Sequence, residues 1–191
     1  MSIFSSLILV GGVQASTGVD PEARLPYWEV RGNDVSIRFV QRLPDQTRGF
    51  FLARGFKPAQ AEIIAQSCVF QSIFKNTSSP SSPATIQYNL REWSIHAGTQ
   101  RRGMKTREDW KQEWQAGRVA RPAQLAFEWA LLPTRQQYGP GDYNWGMSVF
   151  NLKPGTQFDL DVVWYRNGHR EVARIKAIRC AADVTMEPTD P

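Results

Sequence analysis

The chain has 191 residues, 41 % of them hydrophobic and 21 % charged, and it carries seven tryptophans. That balance excludes an intrinsically disordered chain and suits one well-buried domain rather than two. The net charge of +5 comes from basic residues interspersed with acids, so no nucleic-acid partner is expected, and no apolar run reaches the roughly 20 residues that a membrane-spanning helix needs.

Residues 1–15 read as the second half of a secretory signal peptide. Ile3, Phe4, Leu7, Ile8, Leu9 and Val10 lead into Val13-Gln14-Ala15, with small side chains at −3 and −1 of a cut before Ser16. The positive start of such a peptide is missing. Export to the periplasm or the outside is the expectation. Residues 16–26, with Gly18, Pro21 and Pro26, read as an extended lead-in to a single globular domain over 27–180.

From Tyr27 the pattern turns β, with a hairpin through Gly32-Asn33-Asp34 and alternation of Val35, Ile37 and Phe39 with polar neighbours. Pro44-Asp45 opens a helix stopped by Gly55. Lys57-Pro58 opens a second, whose stripe of Ala61, Ile64, Ala65, Cys68, Val69, Ser72 and Ile73 predicts helix to about Asn76. Thr77–Pro83 is a Ser/Pro loop, and Asn76-Thr77-Ser78 has the form of a glycosylation sequon. Ala84–His96 reads as a long strand bulged near Glu92. The densest basic cluster, Arg101, Arg102, Lys105 and Arg107, is a solvated loop entering a helix over Thr106–Gln115, with Thr106 and Asp109 as a capping pair and Trp110 and Trp114 as its apolar ridge.

Pro122–Leu132 satisfies both periods; bracketing prolines at strand-like length favour a strand. Trp145–Leu152 and Gln157–Arg166 read as strands. Asn167-Gly168 is the preferred type I′ pair, and counting outward sets Arg166 opposite His169, Val163 opposite Val172, Val162 opposite Ala173, Leu160 opposite Ile175 and Phe158 opposite Ala177. The same register sets Asp161 against Arg174 and Asp159 against Lys176. Residues 181–191 read as a flexible, acidic tail. The class predicted is α+β, mainly antiparallel β: an immunoglobulin-like sandwich with an inserted helical pair and one further short helix. The alternative is a single antiparallel sheet covered by helices.

Cys68 and Cys180 lie 112 positions apart, which fits no metal spacing. In an oxidising compartment the two are expected to pair, joining the long helix to the last hairpin.

The stretch Tyr138–Met147 concentrates contact chemistry: three glycines and a proline bend it, and Asp142, Tyr143, Asn144, Trp145 and Met147 give flat rings and orienting polar groups. No hydrolase, P-loop or dinucleotide-binding fingerprint occurs. The function expected is therefore a non-enzymatic binding or accessory domain that contacts a protein or peptide partner through this stretch, without a cofactor. One alternative is a copper-handling protein using His96, Met104 and Met147 as a soft ligand set. The other is a hydrolase whose site, built on His96 or His169, leaves no motif.

Overall fold

The computed structural model describes residues 12–183. The predicted leader's residues 1–11 and the tail's 184–191 lie outside them.

Two antiparallel sheets pack as a sandwich, the α+β class expected. The first sheet has the order β1-β2-β3-β4-β9, built from β1 (Gln14–Val19), β2 (Pro26–Gly32), β3 (Val35–Gln41), β4 (Val69–Asn76) and β9 (Tyr143–Val149). The second is centred on β10 (Gln157–Arg166). Along one edge β10 pairs with β11 (His169–Arg179). Its other edge is shared by β5 (Ile86–Asn89) and β6 (Ser94–Ala97), which carry β8 (Arg135–Tyr138) and β7 (Gln100–Gly103) outside them. The predicted bulge near Glu92 is a 3₁₀ turn over Leu90–Glu92 that divides β5 from β6.

Local chemistry sets the turns. Asn33 and Asp34 both take positive φ between β2 and β3, as do Asn167 and Gly168 between β10 and β11, which matches the primed turn to the strand twist. The lead-in over 16–26 holds most of β1 and the turn closed by Asp20 N–H to Leu25 O at 2.8 Å. The predicted cut before Ser16 falls within β1, whose Gln14 and Ala15 pair with Arg31 and Val30.

The hairpin register is observed as predicted from Arg166–His169 to Leu160–Ile175, including Asp161 against Arg174. Beyond that it shifts. Phe158 faces Ile178 rather than Ala177, because Ala177 adopts φ +55° and donates its N–H to the Asp159 carboxylate at 2.9 Å. A bulge has taken up one residue, and Asp159 no longer stands opposite Lys176.

Among the described residues four helices elaborate the sandwich: α1 (Pro44–Leu52), α2 (Pro58–Ala65), α3 (Arg107–Ala116) and α4 (Arg121–Ala130). Two expectations are corrected here. The second helix stops at Ala65, since Cys68 at φ +54° turns the chain, and 69–76 forms β4 with Val69, Phe70, Ser72, Phe74 and Asn76 buried. Residues 121–130 are helix, not strand, because Ala123 and Phe127 at i, i+4 reach the core under the helices. At α3 the capping pair forms as expected: Thr106 N–H and Oγ1 both donate to Asp109, and Trp110 stacks on Trp114 at 5.1 Å.

The core is in two parts. One fills the sandwich, with Phe39, Phe70, Phe74, Trp93, Phe150 and Trp164 among its large rings. The other lies between the helices and one end of the first sheet, where Phe51, Phe56, Trp110, Trp114 and Phe127 cover Val69, Met147 and Val149.

Cys68 and Cys180 are bonded, with Cα atoms 5.2 Å apart. The bridge joins the α2–β4 turn, rather than a helix, to the end of the last hairpin. Beyond it, Asp183 is held by Arg48, which also grips Glu62 and Asp45. Asn76 of the sequon is fully buried, and its Nδ2 donates to Ala84 O at 2.7 Å and Tyr138 O at 3.2 Å, so it is a structural brace in the folded chain.

Candidate functional site

The predicted contact stretch is a strand–turn–strand crossing between the sheets. Tyr138 ends β8, buried and stacked on Phe74 at 5.2 Å. The turn 139–142 is locked locally: Asp142 accepts from the Gly139 N–H at 2.8 Å, and its own carbonyl accepts from Asn76 N–H. Strand alternation then sends Tyr143, Trp145 and Met147 to one face and Asn144 to the other. Asp142 and Asn144 both line a shallow pocket of about 330 Å³ beside β8, with Gln136 and Gln137, away from Trp145 and Met147. Tyr143 and Trp145 are 60 % and 69 % exposed, whereas Met147 is buried.

The reason lies in how the helices cover β9. Its outer face is roofed over at Val149 and Met147 by the helical core, and the roof ends before Trp145. The end of α4 is set against β9 by Leu132 N–H donating to Met147 O at 3.0 Å. Trp129, one residue before the end of α4, is 79 % exposed. Trp129 and Trp145 thus border one groove of about 430 Å³, with Met147, Ala126 and Ala130 as apolar lining and Phe50, Arg42, Arg54 and Gln71 completing it. Arg42 and Arg54 both lie over the Phe50 ring, at 5.0 and 3.3 Å from its centroid. Sequence reasoning reached Trp145 and Met147 but missed Trp129, Phe50 and the two arginines, which come from α1, its flanks and α4.

The soft-metal candidates are not brought together. Met104 packs in the sandwich core and Met147 in the helical one, while His96 Nε2 lies 2.8 Å from Asp161. Among the described residues no group of three or more His, Cys, Asp or Glu could hold a metal ion. His169 is exposed beside its turn.

His96 belongs to an ion-pair ladder instead. Arg174 grips both oxygens of Asp161 at 2.6 and 2.8 Å and lies 3.3 Å from His96 Nε2. Ser94 Oγ, on the neighbouring position of β6, accepts from Arg101. Nothing in this set is an activated nucleophile. Arg174 first, and His96 after it, hold the Asp161 carboxyl at about 2, below its ordinary 3.8. A carboxyl depressed on folding contributes stability that is present above pH 3.8 and lost as pH falls through about 2. Solvent exposure of Arg174 keeps that contribution small. Carboxyl-carbon NMR titration should show Asp161 near 2 in the native chain. Arg174→Gln should raise it further than His96→Gln; the reverse order would make His96 the main partner.

Among the described residues no helix is long and apolar enough to cross a membrane. Comparison of the chain with protein-family models, with curated proteins and with solved structures matched nothing.

Proposed function

We propose that this chain is an exported binding or accessory domain that takes a segment of a partner protein or peptide in the groove between Trp129 and Trp145. One observation carries the reading. Five of the seven tryptophans are buried in the two cores, and the two that are exposed border the same groove. A large ring left in water gives up its burial free energy, and aromatic anchors beside an apolar floor are what partner surfaces use. The disulfide supports an oxidising compartment, which is where such a bond persists.

Short random peptides displayed on phage and panned on the disulfide-intact protein should yield binders. Trp129→Ala or Trp145→Ala should weaken those binders by about 2 kcal/mol, roughly thirtyfold. Thermal stability should be unchanged within a degree or two, because neither ring is packed in a core. Binders held equally well by both variants would place the site elsewhere.

A further inference from the structure

The groove's polar side chains say more about its occupant than its rings do. Arg42 and Arg54 approach the same Phe50 ring from α1's two flanks, so two cations share one small apolar surface. Neither forms an ion pair among the described residues. Arg54 spends one N–H on Phe50 O at 2.9 Å, and Arg42 reaches Gln46 O at 3.3 Å. The Arg42 Nε is buried without a partner. Asp20 and Glu22 line the adjoining groove that Arg42 also borders, but Asp20 is taken by Arg38 at 3.1 Å. Gln71, the remaining polar lining residue, turns its amide nitrogen to Gly146 O. Burial and the like charge of Arg54 both make Arg42 a less comfortable cation, in that order. Arg42, half-buried, and Arg54, exposed, are two like charges over one apolar ring with no ion-pair partner among the described residues; an anion brought from outside stabilises such a pair, and a guanidinium fork matches a carboxylate best.

Resting on the binding reading above, we infer that the groove recognises a partner segment in which an Asp or Glu side chain stands next to an aromatic or large aliphatic one. The carboxylate would lie between Arg42 and Arg54, and the apolar neighbour between Trp129 and Trp145. Charge complementarity selects the acidic segment, and the rings and Met147 floor select its apolar neighbour.

The test sequences the phage-displayed random peptides enriched on the full, disulfide-bonded chain. It then measures affinities of the best synthetic peptides by fluorescence anisotropy. Enrichment of Asp or Glu beside aromatic or aliphatic residues is expected. Arg42→Gln with Arg54→Gln, and separately the peptide's acid-to-amide change, should each weaken binding about tenfold, and combining the two should cost little more. Affinity should fall as salt is raised. Binders that need Trp129 and Trp145 but show neither acid enrichment nor a loss in the arginine variant would overturn this inference and leave the binding reading standing. Binders indifferent to both tryptophans, or no enrichment at all, would remove the binding reading itself. Tighter arginine-dependent capture of an oligonucleotide or of anionic lipid vesicles than of any peptide would assign the cation pair to another class of partner and also overturn the inference.

Discussion

Replacing Cys68 and Cys180 together by alanine should lower the unfolding free energy by about 4–5 kcal/mol, the loop-closure entropy of a cross-link that spans 112 residues. For a chain of this size that corresponds to a fall of about 10–20 °C in Tm. The location of the bridge argues against a smaller effect. Cys68 holds a left-handed backbone conformation that a non-glycine residue resists, and its carbonyl accepts from Phe150 N–H across the turn. Cys180 N–H in turn donates to Thr156 O, so the two ends of the bridge fasten the start of β4 and the end of β11 to the rest of their sheets. Both side chains are buried, so the alanines would also leave a void where the two sulfurs pack. Reduction of the native protein should reproduce the double variant in a denaturant titration. A loss below about 1 kcal/mol in both would show that the cores alone fix this junction.

Gly146→Ala should cost on the order of 3 kcal/mol. A Cβ there would lie 2.6 Å from Leu132 N and 2.8 Å from Leu131 C, both backbone atoms that no rotamer change can move aside. Overpacking of this kind costs roughly 1–3 kcal/mol, and the Leu132–Met147 hydrogen bond that holds α4 against β9 would be strained or lost as well. Because that contact sets Trp129 beside Trp145, the same substitution should weaken groove binders even where the protein remains folded. Gly49 in α1 offers the opposite case: nothing lies within 4 Å of its added Cβ, so Gly49→Ala should stabilise by roughly 0.5–1 kcal/mol through helix propensity alone. Equal effects at the two glycines in thermal denaturation would contradict the close approach of α4 to β9.

The features legible in the sequence were those whose chemistry is local. Asn33-Asp34 and Asn167-Gly168 announce their turns because those side chains tolerate positive φ, and the β10–β11 register followed from counting outward. It went wrong only beyond Leu160, where Ala177, a residue with no preference for positive φ, makes the bulge. Cys68 misled for the same reason. A left-handed cysteine carries no turn signal, so the apolar spacing of α2 ran without visible interruption into the alternation of β4. For 121–130 the two periods coincided, and the tertiary demand of the helical core decided between them. That choice also hid half of the groove. Read as a strand, Phe127 and Trp129 share a face; on the helix, Phe127 is buried and Trp129 turns to solvent. Phe50, Arg42 and Arg54 converge with it only through the packing of α1 beside α4, and nothing in their sequence neighbourhoods signals that meeting.

Trp129 and Trp145 are the two tryptophans that a bound partner is expected to cover. Fluorine NMR of the 5-fluorotryptophan-labelled protein tests this most directly, with the seven resonances assigned by single Trp→Phe substitutions. A soluble paramagnetic agent should broaden two of them, from Trp129 and Trp145, and spare the five buried rings; saturating peptide from the phage selection should then protect those two and leave the others unshifted. Protection of neither ring, with binding nonetheless saturated, would contradict the assignment of this groove as the binding site.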